Sequence, residues 1–373
     1  MKITGLDVTP LKNRGLLLQL HTDEGLVGIG SPMNYEHGRT VERALLDMSD
    51  YLIGKDPRQI EDHWQVLFRS SYSRQMPILL SALSGLEMAC LDILGKSLGA
   101  PIWRLLGGTV RDRIRVYAGI GGPEPAQYAD NARATVEAGY TAVKMTPFPD
   151  PVRYVDTPAV VAKVVSRVAS VRDAVGAEID VAVDFHRAVS PAMAKILIRE
   201  LEPLQPLFIE EPTHPENVDA LLEITRSTHI PIATGERNTT RWGFREICEK
   251  KAAAILQPDI RHCGGILEMK KIAALAEVHY LAMAPHSAAD AVGVVASLHA
   301  MAGTPNFLIQ EFGGGGEGLF TEPLRFEDGF VSIPQGPGLG IEIDPEGLAA
   351  NRLEQWRQRN MRRHPEDNSV NDI

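Results

Sequence analysis

Short apolar runs recur through the last two thirds of this chain, most of them closing on or just before a polar residue, and their rhythm restricts the folds open to it. The eight runs are Val116 to Ile120, Ala142 to Thr146, Ile179 to Asp184, Leu207 to Glu210, Ile232 to Glu236, Ala254 to Leu256, Leu281 to Ala284 and Phe307 to Glu311. Helical stretches alternate with them, and eight strand-then-helix units are what a closed parallel (β/α) barrel of the TIM type requires. Asp184, Glu210 and Glu236 stand 26 residues apart, Asp259 follows after 23, His286 after 27 and Glu311 after 25. Residues repeating at about one strand-plus-helix interval come to the same rim, the C-terminal mouth, where barrel enzymes keep their chemistry.

Residues 1–112 depart from that rhythm. Leu16 to His21 and Leu26 to Ile29 flank Thr22-Asp23-Glu24-Gly25, which reads as an antiparallel hairpin. Helical periodicity follows over Arg39 to Leu52, Gln59 to Phe68 and Ile78 to Leu98, the last ending at Gly99. The expected organisation is an N-terminal α+β capping domain over 1–112, the barrel with its mouth over 113–323, and a segment over 324–373 that packs back on the capping domain. That segment is expected to hold strands at Phe330 to Pro334 and Leu339 to Ile343 and a helix at Leu348 to Arg359.

A net charge of −10 argues against nucleic acid or an anionic membrane surface as the main partner. Cys90, Cys248 and Cys263 are odd in number and far apart, as in a reducing, cytoplasmic setting. The start, Met1-Lys2-Ile3-Thr4-Gly5-Leu6-Asp7, alternates like a strand and lacks the apolar core of a signal peptide. Ala291 to Gly303, the most apolar later stretch, is short and contains His299, so no membrane span is expected and His299 reads as a packing residue.

At the mouth, Asp184, Glu210 and Glu236 form an all-oxygen set suited to a hard divalent cation, Mg2+ before others. Any one of them alone reads equally as a helix cap or a solvated turn; three in register favour the metal. His186 lies two residues after Asp184, and an extended backbone sends i and i+2 to the same side. Three carboxylates, substrate oxygens and water complete an octahedral shell, which leaves His186 as an acid or base, against the alternative of a hydrogen-bonded surface histidine. Asp259, after the sixth run, can accept a hydrogen bond from His286, after the seventh, and so orient its ring. The third and seventh strands of a ring of eight face each other, so substrate would lie between His186 and His286. A metal-neutralised carboxylate with an imidazole on each side suits removal of the adjacent proton and protonation of a departing hydroxyl.

Asp184, Glu210 and Glu236, together with Gln257-Pro258-Asp259, Ala284-Pro285-His286, Gln310-Glu311 and Asp92-Ile93-Leu94-Gly95-Lys96, resemble the enolase superfamily in its mandelate racemase-like branch. Asp184-Phe185-His186 and His364-Pro365-Glu366-Asp367-Asn368-Ser369-Val370 are similar to its acid-sugar dehydratases, the D-galactonate dehydratases most of all. The resemblance implies an enolase-type barrel with a capping domain, Mg2+ on Asp184, Glu210 and Glu236, and a symmetric homo-oligomer. It also implies that His286, partnered by Asp259, takes the carbon-2 proton, that His186 protonates the leaving 3-hydroxyl, and that Glu311 helps hold the enediolate.

Two departures bear on substrate. Lys144-Met145-Thr146 lacks the second lysine of the branch's racemases, so lysine-based racemisation is not expected. Thr146 replaces an asparagine common in the galactonate enzymes, and Arg74-Gln75-Met76 stands where they carry a glycine pair. Substrate-binding candidates are Asn34, His37, Tyr72 and Arg74 in the capping loops, with Lys144 and Thr146 at the mouth. The alternatives are dehydration of another aldonate, a sugar-acid cycloisomerase, and an inactive barrel that binds a sugar acid. The glycine run Gly313 to Gly316 raises phosphate binding as a further reading, with no basic residue up to Glu317 to support it.

Overall fold

The computed structural model describes residues 1–12, 15–33, 37–149, 151–287, 290–354 and 362–371. β1 (Ile3–Pro10), β2 (Leu16–Thr22) and β3 (Val27–Gly30) make an antiparallel sheet in that order, with β2 and β3 forming the expected hairpin. α1 (Gly38–Leu52), α2 (Ile60–Ser70) and α3 (Pro77–Leu98) follow. Proline at its start and Gly99 in the left-handed conformation at its end delimit α3. α3 is long and apolar enough to cross a membrane, yet 83% of its most apolar window is buried, as befits the core helix of the capping domain. β3 lies directly on it, and a Cβ at Gly30 would stand 1.9 Å from the Gly85 carbonyl oxygen. Asp92, inside α3, accepts from the Ile29 N–H at 2.9 Å, from Lys96 Nζ at 2.6 Å and from the Leu339 N–H at 2.8 Å. That one carboxylate ties sheet, helix and C-terminal segment together.

After α4 (Ile102–Leu105) the barrel begins. It runs β4 (Arg113–Ile120), α5 (Pro125–Glu137), β5 (Ala142–Met145), α6 (Pro158–Val175), β6 (Asp180–Asp184), α7 (Pro191–Leu201), β7 (Ile209–Glu210) and α8 (Val218–Thr225). It continues β8 (Ile232–Thr234), α9 (Thr240–Lys250), β9 (Ile255–Leu256), α10 (Ile266–Val278), β10 (Ala282–Met283), α11 (Ala291–Ala302) and β11 (Gln310–Glu311). β4 to β10 pair in sequence order, all parallel, β11 pairs with β4, and a Met283–Phe307 bridge closes the ring. Tyr117, Ala142, Ala182, Phe208, Ala233, Ile255, Ala284 and Ile309, from successive strand regions, pack together as the barrel interior. Every barrel strand after β4 is shorter than its apolar run, so Glu236, Asp259 and His286 lie in loops just beyond β8, β9 and β10.

The C-terminal segment differs from expectation in two places. β12 (Phe326–Glu327) and β13 (Phe330–Ser332) form a hairpin, and β13 pairs antiparallel with Arg113–Arg115 of β4. Leu339 to Ile343 is a loop, not a strand, because Gly338 and Gly340 take φ values of +67° and +69° that break an extended run. α12 (Pro345–Asn351) starts earlier than expected, where Asp344 accepts from the Glu346 and Gly347 N–H groups, and ends at Asn351. Residues 355–359 of the expected helix lie outside the described residues. The segment touches the capping domain where the Leu353 N–H donates to the Pro10 carbonyl at 2.7 Å and Leu11 bridges Arg352.

Capping-domain side chains grip the loop between β9 and α10. Trp64 Nε1 donates to the Gly264 carbonyl at 2.8 Å, Ser84 Oγ accepts from the Gly264 N–H at 3.0 Å, and the Glu87 carboxylate accepts from the Ile266 and Leu267 N–H groups, each at 2.8 Å. Glu87 thereby satisfies orphan donors at the N-terminus of a helix in the other domain. The three cysteines are buried thiols without disulfides. His299 is buried between the domains: Nδ1 accepts from the Trp103 N–H at 3.2 Å and Nε2 donates to the Leu339 carbonyl at 2.9 Å.

Candidate active site

Asp184 ends β6 and Glu210 ends β7, paired in register, so parallel pairing sets the two carboxylates side by side. Glu236 follows β8 by two residues, past Gly235, whose φ of +137° turns the chain at the rim. Lys144, on β5, reaches into this group: Nζ is 2.7 Å from Glu210 Oε1, 3.1 Å from Glu311 Oε1 and 4.0 Å from Asp184 Oδ2. Gln257 Nε2 donates to the other Glu210 oxygen at 2.8 Å, and Arg187 Nη1 donates to Glu236 Oε1. Burial pushes the Asp184 and Glu210 carboxyls above the usual range, and the neighbouring acids add to it against the pull of Lys144. Burial acts on Glu236 too, but His286, Arg187 and His186 outweigh it and hold that carboxyl low.

Among the described residues no three acidic, histidine or cysteine side chains are drawn into a closed ligand set, since Lys144 and Arg187 share the carboxylate oxygens. The donor set nevertheless fits a hard cation in kind. It is all oxygen, buried, and carries crowded negative charge that a divalent ion would relieve. Sequence reasoning passed over Arg187 and gave Gln257 no role beyond its place in the Gln257-Pro258-Asp259 motif; a cationic residue directly after Asp184-Phe185-His186 was the available signal for the first.

His186 does not reach the mouth by strand alternation. It has φ +46° and Arg187 has φ +52°, so two successive left-handed residues replace the extended backbone expected there. The turn is closed by the His186 N–H donating to Asp184 Oδ1 at 2.7 Å. Burial pushes the His186 imidazole down to about 4, and the Arg187 charge adds to that shift.

His286 sits as its spacing predicts. Its Nδ1 is 2.8 Å from Asp259 Oδ2, the two residues forming a parallel bridge. Its Nε2 is 3.4 Å from Glu236 Oε2 and 3.7 Å from Glu311 Oε2. Glu311 accepts from the Ser287 N–H at 2.8 Å. Despite complete burial, Arg261 and His286 hold the Asp259 carboxyl well below the usual carboxylate range. Such a dyad fixes which imidazole nitrogen carries a proton and turns the other toward the mouth.

Residues 8–107 match the N-terminal domain of the mandelate racemase/muconate lactonizing enzyme family, and residues 127–347 match the enolase C-terminal domain-like family. The chain belongs to the enolase superfamily. A D-galactonate dehydratase of Ralstonia pickettii (strain 12J) is 40% identical over 370 residues, covering 96% of each chain. Among solved structures, a mandelate racemase/muconate lactonizing enzyme from Jannaschia sp. CCS1 is 35% identical with a TM-score of 0.89, covering 96% of this chain and 99% of that one. A Mesorhizobium loti protein provisionally named a dehydratase is 33% identical with a TM-score of 0.90, covering 95% of this chain and 99% of that one. This enolase-superfamily member is an enzyme of the carbon–oxygen lyase class, a dehydratase.

The remaining candidates in this enolase-superfamily enzyme are spread out. Lys144 is inside the carboxylate cluster. Thr146 is exposed one residue past β5, its carbonyl accepting from Tyr128 Oη at 2.7 Å. Tyr72 is fully exposed, Arg74 lies 5.9 Å from the Phe68 ring centroid, and His37 is exposed at the start of α1. Among the described residues none of these four has a hydrogen bond or ion pair to the cluster; Asn34 lies outside the described residues. The glycine run is closed by an acid, Glu317, which accepts from the Gly315 N–H at 2.9 Å, so that donor already has an anionic partner.

Proposed function

We propose that this protein dehydrates a sugar acid with the help of Mg2+, D-galactonate being the first candidate. The observation that carries the reading is the His286 ring, bonded through Nδ1 to Asp259 and turned through Nε2 toward Glu236 and Glu311. Asp184, Glu210 and Glu236 would hold the Mg2+, which when bound supplies positive charge for the substrate carboxylate and for the charge that builds beside carbon 2. His286 takes the carbon-2 proton, and Asp259 stabilises the imidazolium that results. Lys144 and Glu311 form the polar wall against which the enediolate is held. In the protein alone burial keeps His186 neutral; a substrate anion beside it draws a proton onto the ring, which is then passed to the leaving 3-hydroxyl. Water departs, and the enol tautomerises to a 2-keto-3-deoxy acid.

D-Galactonate is favoured by the Ralstonia relative. Thr146 and Arg74-Gln75-Met76, where this chain departs from the galactonate pattern, make another aldonate the chief alternative. Symmetric homo-oligomerisation and a cytoplasmic site belong to the same proposal, and sedimentation velocity tests the first. The decisive experiment incubates purified, Mg2+-loaded protein with a library of aldonic and aldaric acids and detects 2-keto-3-deoxy products with semicarbazide. Turnover suppressed by EDTA is the expected result. A folded, metal-loaded sample that turns over none of them would overturn the reading.

A further inference from the structure

Asp259 is held from two sides, and the second holder has no place in the mechanism above. Arg261 grips it as a fork: its N–H and its Nε meet Asp259 Oδ1 at 2.9 and 3.0 Å, and its Nη2 meets Oδ2 at 2.6 Å, the same oxygen that faces His286 Nδ1. Arg261 Nη1 lies 3.4 Å from Asp290 Oδ2. Asp290 is itself fixed, because its Oδ1 accepts from the Val292 and Gly293 N–H groups at the start of α11 and its Oδ2 accepts from Ser31 Oγ. Ser31 belongs to the capping domain, and the Met33 N–H donates to the Arg261 carbonyl at 3.3 Å. Arg261, Asp259, Asp290 and Ser31 are all buried. The side chain of Arg261 passes over Gly293, where a Cβ would stand 2.6 Å from Arg261 Cδ and 2.9 Å from Cγ.

We propose that Arg261 is a positioning residue for the Asp259–His286 dyad, locking the Asp259 carboxylate with a bidentate guanidinium that is anchored through Asp290 to Ser31 of the capping domain. The proposal rests on the reading of His286 as the base. An unheld carboxylate rotates about its Cβ–Cγ bond, and the imidazole it orients then samples geometries in which Nε2 no longer faces carbon 2. A fork that bonds both oxygens removes that freedom. Because the anchor comes from the capping domain, the base and that domain share one frame.

The test uses the full-length protein with Arg261→Gln, Arg261→Lys and Gly293→Ala. The last keeps the arginine but pushes it off its path, and in a helix an alanine otherwise stabilises relative to glycine. The first readout is the downfield imidazole N–H resonance of His286, assigned by its loss in His286→Asn. The second is kcat and KM on the acid found by the screen, with carbon-2 deuterium exchange. In Arg261→Gln and Gly293→Ala the resonance should shift and kcat and exchange fall about 10- to 100-fold with KM little changed; Arg261→Lys should recover part of both. A resonance unmoved in both variants would overturn the proposal, and so would a fall in kcat without that movement, since lost packing alone would explain it. If Arg261→Gln does not fold, Gly293→Ala decides. Should the wild type turn over no acid at all, the functional reading fails by itself, and the resonance still decides whether Arg261 holds Asp259.

Discussion

Two histidines show how burial and partners assign roles to one residue type. His186 stands in a left-handed turn at the mouth, and the proposed roles make it separable from His286. His186→Asn should abolish release of the keto acid while His286 still exchanges the carbon-2 proton with deuterium, read by proton NMR in D2O; exchange lost with His186 and kept without His286 would reverse the assignment. His299 is the structural counterpart. Its neutral ring accepts from Trp103 at one nitrogen and donates to Leu339 at the other, and burial pushes its imidazole down to about 4. The unfolded chain, with an ordinary histidine value of about 6.5, binds the extra proton between those limits. The stability His299 contributes is therefore complete above pH 6.5 and declines as pH falls toward 4, by on the order of 3 kcal/mol. His299→Gln, which keeps an acceptor and a donor but does not titrate, should flatten that part of the profile in urea denaturation measured between pH 6.5 and 4.5.

Between elements, close approach decides more than propensity. β3 and α3 touch backbone to backbone, where a Cβ at Gly30 meets the Gly85 carbonyl at 1.9 Å and one at Gly85 meets Pro32 at 2.7 Å. Gly30→Ala has no flexible neighbour to displace. It should cost at least the 1–3 kcal/mol typical of overpacking, visible as a lower urea midpoint with the slope unchanged. The barrel strands show the converse, since β7, β9, β10 and β11 are only two residues long and rely on their parallel neighbours to set the rim. β4 serves three partners, giving Arg113–Arg115 to β13, Val116 and Tyr117 to β11, and Ala118–Ile120 to β5.

For the whole molecule, the proposed metal at the crowded acids of the mouth makes stability a test of its binding. A cation that binds only the folded state adds RT ln(1 + [L]/Kd), about 2.7 kcal/mol at a hundredfold excess over Kd. Mg2+ should raise the melting temperature in differential scanning calorimetry, EDTA should reverse the rise, and Asp184→Asn should abolish it without unfolding the protein. A melting temperature indifferent to Mg2+ would count against metal at Asp184, Glu210 and Glu236 independently of any substrate. The capping domain takes part at this scale because Trp64, Ser84 and Glu87 hold the β9–α10 loop that carries Asp259.

The barrel rhythm, the hairpin, the three capping helices and the acids and His286 of the mouth were legible in the chain, because strand and helix periods are local and a constant unit length returns residues to one rim. His186 reached the mouth for a different reason from the one its spacing suggested, since an Asx-type turn with two left-handed residues leaves no mark on hydrophobic pattern. Leu339 to Ile343 alternates like a strand, yet the positive φ of Gly338 and Gly340 makes it a loop. Arg187 on Glu236, Lys144 among the acids and the Arg261–Asp290–Ser31 anchor were decided only by closure of the barrel and seating of the capping domain. Ser31 and Asp290 are 259 positions apart, and no local pattern encodes which of many buried polar groups will meet once the core has excluded water.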